Sequence, residues 1–371
     1  MALDQDRAIR WDKGETAMAE ERRPGAVQWI DHVVVGTNDM NAWVEWAVSA
    51  IGASKWNPSG ESERNSPGLI GGLTTLERQR NRSIICFLDI GDGSCHFGAF
   101  LQKEMFSPSD GLGKGTPRYG FFVRPEDLDE HLHRLDLHGI PHTGPVRTAA
   151  EGDQGTAIYF EDPDGNQFEF WAPDRMPDGA MEVRTALGVG RISSAVYGAR
   201  DLQRTAAFFE QFCGLQRLDS SEIPEDSVVL PLAGGARLVY NLVDAVDDRV
   251  VGHREWDGMH AALTLPEDAF FPTLRRMWDG LPEGEHERMG LSRAGEDARP
   301  ARTEGRGSPT ARKWKEIYGR RDGFYDWDGH AFHFVGGVAT RPDGSLAVYR
   351  PKESDEYLKE LEQALATSTL P

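Results

Sequence analysis

The stretch GTAIYFEDPDGNQFEFW, residues 155–171, contains two aromatic-rich segments on either side of a turn. Aromatic and β-branched residues favour strands. The residues Asp162-Pro163-Asp164-Gly165 favour a turn, because proline presets φ and glycine accepts a positive φ. A similar hairpin pattern returns as FYDWDGHAFHFV at residues 324–335. This recurrence indicates an internal duplication.

A second repeat supports the duplication. IDHVVVGTNDM at 30–40 and ISSAVYGARDL at 192–202 align without a gap. Both predict a strand that leads into a helix, and Asn38 or Asp39 can cap the first of these helices. RYGFFVRPEDLDE at 118–130 and MHAALTLPEDAFF at 259–271 also share Pro-Glu-Asp at a helix start. The chain is therefore predicted to be α+β and to contain four βαβββ modules.

The repeats also predict the division of the 371 residues. We expect two tandem domains with mixed or antiparallel sheets, joined by a Pro- and Gly-containing linker. A long insertion interrupts the second domain, and a helix from Ser354 lies in the tail. The predicted ranges are an N-terminal extension 1–27, domains 28–175 and 190–340, the linker 176–189, the insertion 280–321 and the tail 341–371.

Composition excludes several classes of protein. The net charge of -19 would repel a nucleic-acid backbone. The N-terminal segment has no apolar signal region, and no run approaches the length of a membrane span. The three cysteines, Cys86, Cys95 and Cys213, have no CxxC spacing, which favours a reducing cytoplasm over a disulfide framework. We expect a small-molecule substrate and neither a nucleic acid nor a membrane as partner. Assembly into a homo-oligomer is left open.

The 155–171 hairpin, together with WIDHVVVGTNDM at 29–40, resembles the vicinal oxygen chelate superfamily of glyoxalases and type I extradiol dioxygenases. The resemblance covers about Trp29 to Gly337 and implies tandem glyoxalase-like domains. In that family a pair of modules curls into a cup that holds a metal ion. The motifs specify the fold more than the reaction, because one fold hosts many chemistries.

The resemblance implies metal ligands in the first predicted domain. His32 lies at the first-strand position and Glu169 at the last-strand position, whereas a third position carries Arg118, which cannot ligate. His96 is a candidate replacement, and two histidines with one carboxylate suit Fe(II). Because strand side chains alternate, the turn places Phe97 rather than His96 opposite Glu169, and a one-residue shift would be required.

The second predicted domain departs further from the family pattern. Ser194 lies at its first-strand position, whereas His260 and His333 lie at the other ligand positions. Two imidazoles without a carboxylate suit zinc or copper better than Fe(II). An alternative packing, in which modules one and four share a cup, would instead gather His32, His260 and His333. The sequence leaves these arrangements open.

The resemblance implies a metal-dependent, ring-cleaving dioxygenase that acts on a small phenolic or catecholic molecule in aromatic catabolism. Fe(II) is the expected metal, with Mn, Zn or Ni as alternatives. Arg118, Tyr119 and Glu169 are the candidate catalytic residues, although Arg118 could lie at the surface and Tyr119 could line the cup or belong to the core. The alternatives are a glyoxalase-type lyase, isomerase or epimerase, and a binding protein of the same fold without turnover.

Overall fold

The computed structural model describes residues 27–55, 85–90, 95–101, 117–149, 152–246, 259–266, parts of 273–289, 323–340 and 346–347. The helix predicted from Ser354, most of the predicted insertion and nearly all of the N-terminal extension lie outside these residues. The described elements follow the predicted modular order. Module one contains β1 (Ile30–Thr37), α1 (Met40–Ala50), β2 (Ser54–Lys55), β3 (Ile85–Asp89) and β4 (His96–Leu101). Module two contains β5 (Arg118–Phe122), α2 (Leu128–Leu137), β6 (His142–Thr148), β7 (Gly155–Glu161) and β8 (Gln167–Pro173). Module three contains β9 (Ile192–Ala199), α3 (Leu202–Cys213), β10 (Ser227–Pro231) and β11 (Arg237–Leu242). Module four contains β12 (His260–Pro266), α4 (Glu285–Arg288), β13 (Gly323–Tyr325), β14 (Ala331–Thr340) and β15 (Leu346–Ala347).

The described strands form two mixed sheets, which confirms the predicted α+β class. Sheet A has the order β13-β14-β12-β1-β4-β3-β2, with β15 paired to β14. Sheet B has the order β10-β11-β9-β5-β8-β7-β6. Each sheet is built from two modules, and its central contact is the antiparallel pairing of their first strands, β1 with β12 and β5 with β9.

The pairing of modules differs from the leading expectation. Modules one and four share sheet A, and modules two and three share sheet B, so each sheet combines both halves of the chain. This is the alternative packing that the sequence left open. The ranges 28–175 and 190–340 therefore mark the two sequence repeats rather than two separate sheets. Whether either range folds alone stays a prediction.

Local signals in the sequence account for the helices. Asp39 caps α1, because its carboxylate accepts hydrogen bonds from the backbone N–H groups of Asn41 and Ala42 at 3.0 and 3.1 Å. A 3₁₀ turn at Pro125–Asp127 leads into α2, as the proline at a helix start predicts. Gly139, just beyond α2, has a φ of 64°, a conformation that glycine accepts more readily than other residues.

The core lies between the two sheets. Phe97 of β4 contacts Phe168 of β8, with 5.3 Å between ring centroids. Trp46 of α1 packs against both rings, at 6.0 and 4.9 Å. On the other side, Tyr197 of β9 contacts Phe332 of β14 at 5.2 Å. The faces that carry these aromatic rings are therefore turned toward each other, and the alternate residues of each strand lie on the opposite faces.

The DPDG turn of module two links sheet B to sheet A. Asp164 accepts hydrogen bonds from the Thr37 hydroxyl at 2.6 Å and from the Asn38 side chain at 3.0 Å. The amide of Asn166 donates to the carbonyl of Gly36 at 2.8 Å and to Asp162 at 2.7 Å. The turn between β7 and β8 therefore holds the end of β1, which belongs to the other sheet.

The turn of module four forms the reciprocal link. Asp328, between β13 and β14 of sheet A, accepts a hydrogen bond of 2.7 Å from the Arg200 guanidinium. Nε2 of His330 donates to the carbonyl of Gly198 at 2.7 Å, so the end of β9 in sheet B is held by sheet A. His330 is thus a buried structural residue beside a turn.

All three cysteines are buried and free. Burial raises the pKa of each thiol to about 12, and a protonated thiol is a poor nucleophile and a poor metal ligand. Among the residues that the structure describes, no helix has the length and apolar character needed to cross a membrane.

The link through Asn166 can be tested by the N166A variant. The substitution leaves the buried carbonyl of Gly36 without the amide donor, so the free energy of unfolding should fall by about 1–3 kcal/mol in urea denaturation. The control is N41A, the same change at an exposed position of α1, where an effect within about 0.5 kcal/mol is expected. Equal effects of the two substitutions would contradict a stabilising link at Asn166.

Candidate metal centre

Three neighbouring strands of sheet A bring histidines from both ends of the chain to one face. His32 of β1 is paired with Ala262 of β12, which is paired in turn with His333 of β14. His260 lies two residues before Ala262 and therefore points to the same side of the sheet. We call this side the histidine face. It is the side opposite the core face that carries Phe332.

A β-bulge at the start of β1 adds a carboxylate to this face. The pairing of β1 with β12 skips Asp31 between Ile30 and His32. Adjacent strand residues normally point to opposite sides, but a bulge redirects a side chain. The carboxylate of Asp31 accepts a hydrogen bond of 2.7 Å from Nδ1 of His32. This bond fixes the tautomer of His32 so that the lone pair of Nε2 faces its neighbours.

The three imidazoles converge closely. One ligand atom from each of His32, His260 and His333 lies within 4.8 Å of the others. Nε2 of His32 and Nε2 of His333 are 2.8 Å apart, and the ring of His260 lies 5.4 and 5.0 Å from the rings of His32 and His333. Two nitrogens bound to one tetrahedral zinc ion at about 2.0–2.1 Å are separated by about 3.4 Å. Small movements of these side chains would therefore let the three nitrogens share one ion.

The electrostatics favour neutral ligands. Burial lowers the pKa of His32 to about 4, and the hydrogen bond to Asp31 offsets this only in part. Burial also acts to raise the pKa of Asp31, but the hydrogen bond and positive charge of His32 outweigh it, so the pKa lies below its usual value. At neutral pH His32 is thus an uncharged imidazole held by an ionised carboxylate, which is the state that ligates metals.

A fourth histidine lies beside the cluster. His96 of β4 is paired with His32 in parallel register and therefore shares its face. Their ring centroids are 6.5 Å apart. Nδ1 of His96 lies 2.9 Å from the carboxylate of Asp89. His96 thus points to the side opposite Phe97, as the strand alternation requires, and no shift of the hairpin is needed.

Aromatic rings border the histidines. Phe87 of β3 contacts the rings of His32 and His96, with centroids 5.2 and 6.3 Å apart. Phe100 of β4 lies 6.1 Å from His260. The space that Phe87 needs depends on Gly98, where a Cβ atom would lie 2.8 Å from the Phe87 ring. The candidate centre therefore combines nitrogen ligands with an apolar aromatic border.

The expected set of His32, His96 and Glu169 is not assembled. Glu169 belongs to β8 of sheet B, where its buried carboxylate accepts a 3.0 Å hydrogen bond from Nε of Arg118. Ser194 also lies in sheet B, paired with Gly120. The pairing of modules one and four places Glu169 and His32 in different sheets, which is the physical reason for the difference.

Tyr119 lies in the core. Its ring is 6.2 Å from that of Tyr197, and burial raises the pKa of its hydroxyl well above the usual value. A catalytic role for Arg118, Tyr119 or Glu169 stays a prediction, and none of the three belongs to the histidine cluster.

Sequence reasoning missed Asp31 and Phe87. Asp31 directly precedes a candidate ligand, and strict alternation would turn it away from His32, so only the bulge reveals its role. Phe87 lies on an inner strand without a motif of its own. For Asp31, the available signal was the alignment of IDH at 30–32 with ISS at 192–194 in the two repeats.

Comparison with known proteins identifies the fold. No protein-family model matches the chain, and no curated protein gives a significant match. A solved structure from Bacillus subtilis subsp. subtilis str. 168, described as a "putative dioxygenase", is similar with a TM-score of 0.55 and 15% identity, over 93% of this chain and 97% of that one. Glyoxalase I from Zea mays is similar with a TM-score of 0.51 and 13% identity, over 90% of this chain and 95% of that one.

These similarities confirm the fold that the sequence motifs predicted. The chain has the vicinal oxygen chelate, or glyoxalase-like, fold. At 13–15% identity the comparisons establish the architecture alone, since related folds host different reactions. The chemistry must be argued from the site.

Substitution of the clustered histidines tests the metal centre. H32A, H260A and H333A should each weaken binding of Zn²⁺ by more than about 100-fold in equilibrium dialysis, because loss of a ligand costs more than loss of a residue that merely orients one. The matched control is H142A, a histidine of β6 that lies in sheet B. Unchanged affinity in all three variants would show that the cluster does not bind the ion.

Proposed function

We propose that this protein is a metal-dependent enzyme that cleaves the ring of a small phenolic or catecholic substrate by extradiol-type dioxygenation. The observation that carries the proposal is the convergence of His32, His260 and His333 next to aromatic side chains. The similarity in fold to glyoxalase I and to the Bacillus subtilis protein is consistent with it.

The donor set restricts the metal. Neutral imidazoles suit iron, zinc, copper and nickel, whereas magnesium and calcium prefer oxygen ligands. Three imidazoles without a carboxylate do not select Fe(II) over zinc or copper, and we propose Fe(II) because ring cleavage requires a metal that exchanges electrons with dioxygen. When bound, the ion would supply Lewis acidity toward two neighbouring substrate oxygens and a partner for dioxygen. His32, His260 and His333 would hold it, and Asp31 would orient His32.

His96 is suited to take the proton of a phenolic hydroxyl. It lies on the histidine face, and Asp89, 2.9 Å from Nδ1, can stabilise the imidazolium that forms. The side chains of His96 and Asp89 are only 15% and 13% exposed, so their interaction is weakly screened by solvent. A general base in this position contributes roughly 10²–10⁴-fold to the rate.

Phe87 and Phe100 would orient the substrate. Their rings border the imidazoles at 5.2 and 6.1 Å. A planar aromatic substrate can pack against such rings by stacking or edge contacts. Apolar walls also exclude water, which strengthens the electrostatic interactions of the site.

A glyoxalase-type isomerase, lyase or epimerase is the second candidate. The pairing of His96 with Asp89 favours it as well, because an imidazole that is hydrogen-bonded to a carboxylate can move a proton between adjacent carbons of a substrate. Such chemistry needs no dioxygen and is served by zinc, nickel or manganese. A binding protein without turnover is the third candidate.

Metal analysis combined with oxygen uptake separates the three candidates. The purified protein is assayed for bound metals, loaded anaerobically with Fe(II) and mixed with catechol in an oxygen electrode. Oxygen consumption with a product that has gained both oxygen atoms supports the proposal, and H333A should abolish it. Activity on a 2-oxoaldehyde adduct with zinc or nickel, without oxygen uptake, favours the second candidate. Absence of any bound metal favours the third.

The H96Q variant tests the proposed base. Glutamine retains a polar side chain of similar reach but cannot accept and carry the proton as imidazole does. We expect kcat to fall by about 10²-fold or more with little change in metal content. The control is H142Q, at a histidine of β6 in sheet B, which should retain the activity of the native protein. A large loss of metal in H96Q would instead assign His96 as a fourth ligand.

A further inference from the structure

Sheet B repeats the backbone arrangement of the metal centre with different side chains. Ser194 is paired with Gly120 and Arg237, as His32 is paired with Ala262 and His96. Glu169 is paired with Gly120, as His333 is paired with Ala262. The equivalent positions, with the metal centre first, are His32 and Ser194, His96 and Arg237, His260 and Arg118, and His333 and Glu169.

Even the bulge is repeated. The pairing of β5 with β9 skips Ser193, as the pairing of β1 with β12 skips Asp31. The hydroxyls of Ser193 and Ser194 therefore point to the same side, and a Cβ atom at Gly120 would lie 2.5 and 2.4 Å from them. Both hydroxyls are buried and make no hydrogen bond within the described part of the chain. The backbone of a metal site is thus kept without its imidazoles.

A fixed charge lies where the metal centre has a histidine. The Glu169 side chain is 0% exposed, and Nε of Arg118 donates to its carboxylate at 3.0 Å. A buried carboxylate requires a partner, because desolvation of an unpaired charge is costly. A guanidinium stays protonated at all physiological pH values. Arg118 therefore supplies, through its bond to Oε2, the positive charge that a metal ion would otherwise bring to Glu169.

We propose that Arg118 is an internal cation that takes the place of a metal ion in sheet B, and that R118H and S194H together open a second metal site there. The two introduced imidazoles and the carboxylate of Glu169 would hold the ion. Such a set binds divalent transition metals such as zinc and Fe(II). This inference does not depend on the reaction proposed for sheet A.

The strand register supports the conversion. His32 and His333 of the metal centre are accommodated opposite Ala262. At the equivalent Gly120 the hydroxyls of Ser193 and Ser194 occupy the space that a Cβ atom would need, and S194H replaces one of these hydroxyls. The carboxylate of Glu169 is already on the correct strand register.

Zinc stoichiometry tests the proposal in the full-length chain. The background is H32A/H260A, so that the centre in sheet A contributes nothing whether or not it binds metal. Equilibrium dialysis with Zn²⁺ alone should give no tightly bound ion in this background and about one ion per chain after R118H/S194H is added. Addition of E169Q should remove that ion. A folded R118H/S194H variant that binds no zinc would overturn the proposal.

Thermal stability gives a second test that does not require a new site to form. R118M leaves the buried carboxylate without its guanidinium, so its thermal midpoint should fall well below that of the native chain. The double variant R118M/E169Q removes both charges and should recover at least about 5 °C of that loss. If R118M and R118M/E169Q melt at the same temperature, Arg118 does not compensate Glu169 and the proposal fails.

Discussion

The antiparallel pairing of β1 with β12 is the contact on which the candidate site depends. It places His32 opposite Ala262, and through β14 it brings His333 to within 2.8 Å of His32 although 301 residues separate them in the chain. A shift of one residue in this pairing would turn one set of imidazoles into the core. The register is held because the alternate residues of each strand are apolar and pack between the sheets.

The pairing makes the two halves of the chain mutually dependent. The turn of module two holds β1 through Asp164 and Asn166, and the turn of module four holds β9 through Asp328 and His330. Each turn thus closes a hairpin in one sheet while it fixes the first strand of a module in the other. The side chains that make these contacts have a structural role in addition to turn formation, because they couple the sheet that carries the histidine cluster to the other sheet.

The sequence predicted the modules well and their pairing poorly. Hairpin turns, the Asp39 cap and the helix start at Pro125 are local features, and each was recognisable from a few neighbouring residues. Which module shares a sheet with which is decided by contacts between distant strands, which a single sequence does not encode in any local pattern. His32, His260 and His333 were therefore all candidates before the structure, but the grouping of His32 with Glu169 was favoured wrongly. The role of Asp31 was hidden for a related reason, since a bulge breaks the alternation on which the facing of strand residues is judged.

The two sheets show how one backbone can meet opposite electrostatic demands. In sheet A burial lowers the pKa of His32 to about 4, so this ligand stays uncharged without a metal. An uncharged imidazole can remain buried without an ion at a modest cost in free energy, and it can then bind a cation. In sheet B the equivalent position holds Glu169, whose buried negative charge cannot be left uncompensated. Such a carboxylate must be protonated, bind a metal ion or be paired with a cation of the protein, and Arg118 is that cation. Divergence after duplication thus accounts for the difference between the sheets. The histidine face of sheet A is open to a metal ion, and the equivalent face of sheet B is closed by an ion pair. Both sheets keep the same β-bulge, strand register and turn contacts.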